Sequence, residues 1–220
     1  MLSESVDKRS RRDNNPPFSF QILERTRVDA FETVIAAILQ RQGYWTLTSV
    51  KVELTKEEKR VIGRPSSPRW ELDVVAYRGK DHEVRVVECK SYLDSRGVAR
   101  GAFDGSSKKV EKRYKLFVED TLRKVVLRRL EHQLVAGGFC AKNPTIRLCL
   151  AAGKVDGDAS VLQAHFEKKG WLLLGPEYIR QELNHLRDSG YENSVAAVVT
   201  KLLLRDGKPA RIKAGVDADV

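Results

Sequence analysis

Apolar and polar residues follow helix and strand periods from the first third of the chain onward. In residues 27–43 apolar side chains recur every three or four positions, which predicts a helix with one buried face. Thr26 is its predicted cap, and Asp29 is predicted to be a first-turn acid favoured by the helix dipole. Residues 44–54 are rich in β-branched and aromatic side chains and predict a strand, and residues 55–69 predict a polar loop.

The middle of the chain predicts a hairpin followed by a long helix. Residues 70–77 and 83–91 have strand-like apolar segments joined by a short turn at 78–82. A glycine-rich loop then leads to one predicted helix over residues 109–137. The remaining predicted elements are a strand at 145–153, a helix at 160–169, a short strand at 171–175 and two helices within 176–206.

This order of elements predicts an α/β fold. An antiparallel meander followed by α–β units implies a mixed central sheet flanked by helices, with extra helices at the C-terminus. No change of composition divides the chain, so residues 26–206 are predicted to form a single domain. Residues 1–25, which are basic and contain two adjacent prolines, are predicted to be a mobile tail, and residues 207–220 a C-terminal tail.

The net charge of the chain indicates which kind of molecule it binds. The 220 residues include 40 Lys and Arg against 30 Asp and Glu, a formal net charge of +10 that favours a polyanion, most often nucleic acid. No apolar stretch is long enough to span a bilayer, so no membrane partner is expected. Three cysteines without C-x-x-C spacing favour a reducing cytoplasm, and four scattered histidines argue against a zinc site.

Charged residues meet at one end of the predicted hairpin. Because strand side chains alternate between faces, Glu88 and Lys90 point the same way. A four-residue turn places Arg78 opposite Glu83, and counting back places Asp73 opposite Glu88. By the same alternation Asp73 shares a face with Val75 and Tyr77, and a register slip of one residue would separate the two acids.

Two interpretations of this cluster follow from the residues. In one it is a solvated strand end with a Glu71–Lys90 ion pair of little energetic weight. In the other, Asp73 and Glu88 hold a hard divalent cation with oxygen ligands. Glu32, at the edge of the apolar stripe of helix 27–43, either reaches water or adds a third carboxylate facing the sheet.

The acid-bearing helix, strands with the pattern D-x(14)-E-x-K, and a following helix and strand resemble the PD-(D/E)xK nuclease superfamily. The resemblance covers residues 27–153 and implies a restriction-endonuclease-like αβββαβ core. The segments WELDVVAY and VRVVECKS are similar to the metal-binding hairpin of Mrr-like and resolvase-like nucleases. Leu72 stands where the named pattern has proline, a residue that many members lack.

The resemblance implies a role for each residue of the cluster. Asp73 corresponds to the first metal ligand, Glu88 to the second, Lys90 to the catalytic lysine and Glu32 to the helix acid. These matches imply a Mg²⁺-dependent DNA endonuclease, with Mn²⁺ as a substitute metal. The alternative is a catalytically inactive nucleic-acid-binding or assembly module on the same fold.

Basic residues near the hairpin are candidates for binding phosphates. Residues 108–131 carry nine basic and four acidic side chains, and the start of this segment follows the loop after Lys90. DNA is the expected partner, and RNA remains an alternative. The apolar stretch 193–204 can either form a homodimer interface or cover the core. The candidate phosphate ligands are Lys112, Arg113 and Lys115 on the predicted helix and Arg96 and Arg100 in the glycine-rich loop.

Overall fold

A computed structural model describes residues 29–66, 69–190 and 194–204, without the side chains of Lys109 and Val110. The predicted tails at 1–25 and 207–220 lie outside these residues. Within them, no helix combines the length and apolar character needed to cross a membrane. The helices are α1 (Ala30–Arg41), α2 (Lys56–Val61), α3 (Lys108–Glu111), α4 (Lys115–Val118), α5 (Asp120–Ala136), α6 (Ala159–Lys168), α7 (Pro176–Asp188) and α8 (Val195–Leu204). The strands are β1 (Trp45–Val52), β2 (Trp70–Arg78), β3 (Glu83–Lys90), β4 (Val98–Ala99), β5 (Thr145–Ala152), β6 (Val155–Asp156) and β7 (Leu172–Leu174).

Five strands form the central sheet in the order β1-β2-β3-β5-β7. The pairs β1–β2 and β2–β3 are antiparallel, and β3–β5 and β5–β7 are parallel. The predicted α/β fold with a mixed sheet flanked by helices is therefore confirmed. The order of one helix, three sheet strands, the helix α5 and a further strand also agrees with the expected αβββαβ succession.

Apolar residues cover both faces of the sheet. On one face α1 and α7 pack against β2, β3 and β5, with Ile38, Leu39 and Leu186 fully buried. On the other face α4, α5 and α6 bury Leu130 and Phe166. Each of these helices has an apolar stripe on one side, and burying the stripe stabilises the helix. The sheet is thus a rigid support for side chains at its strand ends.

The single helix predicted at 109–137 is wrong. The segment forms α3, α4 and α5, separated by non-helical backbone at Tyr114 (φ −127°, ψ 44°) and Glu119 (φ −101°, ψ 96°). Tyr114 is 1% exposed and its ring lies 4.7 Å from that of Phe103. The break turns this aromatic residue into the core, a tertiary contact that outweighs the local helix propensity.

Two smaller predictions also fail near chain turns. Asp29 is the N-cap of α1, where its carboxylate accepts hydrogen bonds from the amides of Phe31 and Glu32 at 2.8 and 3.1 Å. The predicted cap, Thr26, lies outside the described residues. The predicted loop at 55–69 contains α2, which begins with a reciprocal capping box between Thr55 and Glu58. The T-x-x-E pattern is a sequence signal for such a helix start.

Glycines hold the segment after β3 close to the end of β5. A Cβ on Gly153 would lie 2.4 Å from the carbonyl oxygen of Ser91, and the Gly153 amide donates to the carbonyl of Lys90. Gly97 has φ +101°, and a Cβ there would lie 2.8 Å from the backbone of Lys154. Only glycine fits such close backbone approaches. These contacts fix the chain directly beyond Lys90.

Candidate active site

The hairpin β2–β3 has the predicted register up to the point where the acids begin. Its backbone pairs run from Arg78 opposite Glu83 to Val74 opposite Val87. Beyond Val74 the next contact between the two strands is made by a side chain: Asp73 Oδ2 accepts a 2.7 Å hydrogen bond from the amide of Cys89. The predicted turn length is therefore confirmed, and Asp73 is tied to the strand that carries Glu88.

Side-chain alternation along β2 is interrupted beside Asp73. Leu72 and Val75 belong to the same core cluster, whereas Val74 belongs to the cluster on the other face. The corresponding residue of β1, Ser49, has φ +51°, which is unusual for a residue other than glycine. Strict alternation therefore fails between Leu72 and Val74, whereas the Asp73 carboxylate still lies 3.9 Å from Lys90 on the neighbouring strand. The local irregularity and the hydrogen bond to β3 decide where its carboxylate lies.

One ammonium lies between the two hairpin acids. Lys90 Nζ is 2.6 Å from Glu88 Oε1 and 3.9 Å from Asp73 Oδ2. Each of the three side chains is only about one-fifth exposed, between 20% and 24%. Among the described residues Lys90 makes no ion pair with Glu71, so the cross-strand pair predicted as an alternative is wrong. The pattern D-x(14)-E-x-K thus brings its three charged groups together.

Burial and charge shift the pKa values of this pair. The pKa of Glu88 is raised chiefly by burial, while Lys90 opposes the rise and Asp73 adds to it. Burial acts to lower the pKa of Lys90, but the adjacent Glu88 outweighs it, so the pKa of the ammonium is raised. Lys90 therefore keeps its proton at neutral pH and compensates carboxylate charge that water cannot fully solvate.

Glu32 lies in the first turn of α1, within the electrostatic field of the same acids. Its pKa is raised to about 7, mainly by burial and next by the like charges of Asp73, Asp29 and Glu71, while Lys90 opposes the rise. Glu32 is half-buried, which agrees with its predicted place at the edge of the apolar stripe. Its carboxyl group consequently changes charge near neutral pH.

The sequence pattern did not indicate Cys89 as part of this site, and it gave Glu71 only as a partner of Lys90. The thiol of Cys89 is half-buried, and burial together with the charges of Asp73 and Glu32 raises its pKa, so the thiol stays protonated. Glu71 adds negative charge near Glu32. Their signal in the sequence is position alone, since each lies within two residues of a motif residue.

The side chains present match the chemistry of a magnesium site in part. Asp73, Glu88 and Glu32 offer only carboxylate oxygens, which are the ligands that Mg²⁺ prefers. Within the described parts of the chain, no three or more His, Cys, Asp or Glu side chains are arranged to hold a metal ion. Instead the Lys90 ammonium neutralises Glu88 directly. A divalent cation between the carboxylates would require Lys90 to leave Glu88.

The basic residues predicted to bind phosphates fall into two groups. Arg96 lies 3.5 Å from Asp156 and Arg100 lies 3.2 Å from Asp104, so both loop arginines face carboxylates. The second group, Lys112, Arg113 and Lys115, has no ion pair among the described residues. It therefore provides the unneutralised positive charge on the segment between α3 and α4.

Tyr114 links this basic segment to the hairpin acids. Burial raises the pKa of the Tyr114 hydroxyl, a hydrogen bond to Tyr92 and the charge of Glu88 add to the rise, and Arg113 opposes it. The charges of Glu88 and Arg113 thus act on this hydroxyl in opposite directions. Both tyrosines serve mainly as packing residues.

Elsewhere in the segment, structural pairs occupy the basic side chains. Arg129 lies 2.9 Å from Glu58 of α2, and both side chains are largely buried. Arg64 donates two hydrogen bonds of 2.8 Å to the carboxylate of Glu119. Arg123 of α5 donates to the backbone carbonyl groups of Leu116 and Phe117 in α4. These arginines hold short helices in place and are not available to phosphates.

No protein-family model matches this chain, and no curated protein matches it. Among solved structures, the chain is similar to one described as a protein of unknown function, AF1548, with 18% sequence identity and a TM-score of 0.40. The match covers 70% of this chain and 64% of that protein, so the chain spans less than two thirds of its length.

Proposed function

We propose that this protein is a Mg²⁺-dependent DNA endonuclease with Asp73, Glu88, Lys90 and Glu32 at its active site. The observation that supports this proposal best is the shared position of three charged groups, in which the Lys90 ammonium lies between the carboxylates of Glu88 and Asp73. Such a cluster costs free energy of desolvation at a strand end where apolar residues would pack without cost. A catalytic role for these three groups would explain why charged residues stand at this position.

Asp73 and Glu88 are the proposed metal ligands, and Glu32 is the third acid near them. A bound divalent cation lowers the pKa of its water and withdraws charge from a phosphate. The hydrogen bond from the Cys89 amide holds the Asp73 carboxylate in one orientation. Glu32, whose pKa is about 7, would be able to accept or release a proton at neutral pH.

Lys90 has two possible tasks once it leaves Glu88. Its raised pKa means that it acts as a cation, so it can stabilise the negative charge that develops on the phosphate oxygens. It can also orient the attacking water by hydrogen bonding. Lys90 is suited to both tasks because it lies two residues after the proposed metal ligand Glu88, on the same face of β3.

Phosphate contacts would position the nucleic acid without reading its sequence. Lys112, Arg113 and Lys115 offer positive charge that has no ion pair among the described residues, whereas Arg96 and Arg100 would first have to leave Asp156 and Asp104. Binding through backbone phosphates falls steeply with added salt. DNA is the proposed substrate, RNA is the alternative, and the three free cysteines fit a reducing cytoplasm.

The test is cleavage of plasmid DNA by purified protein with Mg²⁺ or Mn²⁺. Asp73→Asn, Glu88→Gln and Lys90→Met should each reduce the cleavage rate at least ~100-fold, as expected for a lost group of a metal site or charge clamp. Glu177→Gln, which alters an exposed acid on α7, is the matched control and should cleave at the wild-type rate. Unchanged cleavage by Asp73→Asn would contradict the site assignment.

A second candidate function is a nucleic-acid-binding or assembly module without catalysis. In its favour, the Lys90 ammonium already compensates the charge of the acids. In addition, no group of three or more His, Cys, Asp or Glu among the described residues is arranged to hold a metal ion. Calorimetric titration with Mn²⁺ in the absence of DNA separates the two. Heat of binding that Asp73→Asn abolishes supports the nuclease, whereas salt-dependent DNA binding without metal binding supports the module.

A further inference from the structure

Helix α8 carries an unusual apolar surface. Nine large apolar side chains are exposed among the described residues, and six of them lie on this ten-residue helix. Val195, Leu202 and Leu203 are 74–78% exposed, and Val198 and Val199 are nearly half exposed. These five residues are called the α8 face below, whereas Leu204 follows Ala197 and Thr200 at helical spacing and lies on the inner side.

The exposure is not the result of a helix that has lost its packing. The inner side of α8 is buried through Ala196, Ala197 and Thr200, and it contacts α7 and α1. Ser194 caps the helix start by accepting from the amide of Ala197 at 3.1 Å. Small residues therefore dock α8 onto the domain, and the large residues point outward, the reverse of an ordinary surface helix.

The α8 face is suited to an apolar partner rather than to a charged one. The one charged residue of α8, Lys201, is turned away, and its Nζ donates to the carbonyl of Ser189 at 2.9 Å. No basic side chain of α8 therefore flanks the face, in contrast to helices that lie on anionic membranes. No charge on α8 would oppose the approach of an identical helix.

Spacing and area favour a second copy of this chain. Val195, Val198 or Val199, and Leu202 follow the three- and four-residue steps by which two helices interlock their side chains. The face exposes on the order of 500 Å² of apolar surface, a large part of the ~800 Å² that each partner buries in a standard interface. An isologous contact uses the same patch twice and closes as a dimer.

We propose that this protein forms a two-fold symmetric homodimer in which the α8 faces of two copies pack against each other. The dimer does not depend on the proposed nuclease activity. It would join two candidate active sites in one assembly, each complete within its own chain.

Sedimentation equilibrium of the full chain over a range of micromolar concentrations tests the proposal. Wild-type protein should approach twice the chain mass of 24.9 kDa. The double variant Leu202→Asp and Leu203→Asp should weaken dimerisation at least ~100-fold, because it places like charges at the two most exposed leucines of the proposed interface. Val161→Asp, at an exposed position of α6, is the matched control and should dimerise as wild type does.

A photo-crosslinking amino acid at position 202 of the full chain identifies what covers the face. A crosslinked dimer joined through α8 supports the proposal. A crosslink within one chain to residues 18–23, which include two phenylalanines, would overturn it and assign the face to that segment. Monomeric wild-type protein, flotation with lipid vesicles in place of dimerisation, or an unchanged Leu202→Asp, Leu203→Asp dimer would overturn it as well. Circular dichroism establishes that each variant is folded.

Discussion

Replacing Glu32 with glutamine tests the electrostatics of the candidate site without requiring any activity. The folded-state pKa of Glu32 is about 7, against 4.5 for the ordinary group. Between these values the folded protein holds a proton that the unfolded chain releases, so the free energy of unfolding falls as pH rises through this window. Because glutamine carries no charge, Glu32→Gln should remove this fall in the free energy of unfolding.

The size of the pKa shift of Glu32 sets the expected change in the free energy of unfolding. One pKa unit corresponds to about 1.4 kcal/mol, so a fully buried carboxyl with this shift would lose roughly 3 kcal/mol. Glu32 is half-buried and solvent screens its acidic neighbours, which reduces the expectation to about 1 kcal/mol. Glu32→Gln should therefore stabilise the protein by about 1 kcal/mol more at pH 8 than at pH 4.

Urea unfolding followed by circular dichroism at pH 4, 6 and 8 measures this difference. Glu177→Gln, at an exposed acid, is the control and should show no comparable pH dependence. In an Asp73→Asn background the gain should shrink, because Asp73 is the largest charged contributor to the raised pKa of Glu32. A gain that is equal at all three pH values would refute the raised pKa of Glu32, and a gain that is undiminished in the Asp73→Asn background would refute its proximity to Asp73.

Two further substitutions test the surroundings of Lys90. Gly153→Ala should lower the free energy of unfolding by about 1–3 kcal/mol in urea titrations, since its Cβ would lie 2.4 Å from the carbonyl oxygen of Ser91 and backbone must shift; an unchanged midpoint would contradict this close approach. Lys90→Met should destabilise the protein by about 2 kcal/mol at pH 8 and by less at pH 5, because it leaves Glu88 and Asp73 uncompensated and Glu88 can protonate at the lower pH. Equal losses at both pH values would argue against the ion pair.

Sequence pattern was sufficient for the elements that depend on local periodicity. The β2–β3 hairpin has the predicted register because turn length and the apolar pattern fix which residues pair. The same reasoning gave the mixed sheet and placed Glu88 and Lys90 on one face of β3. It also placed Glu32 at the edge of the buried stripe of α1, where the structure has it half-buried.

Tertiary contacts decided the features that periodicity does not encode. The predicted long helix breaks at Tyr114 because its ring packs against Phe103 in the core. The periodicity of the helical segment does not show this contact. The alternation of β2 fails beside Asp73, where the amide of Cys89 binds the carboxylate. The charge count likewise could not show that Arg129 is committed to Glu58.

The amino-acid sequence alone thus determined the fold class, the hairpin register and the identity of the charged residues, since these depend on spacing along one or two segments. Only the tertiary structure decided which charges meet. Lys90 binds Glu88 rather than Glu71, and the pKa of Glu32 rises to about 7, because solvent exclusion and distance between separate elements set electrostatic energies.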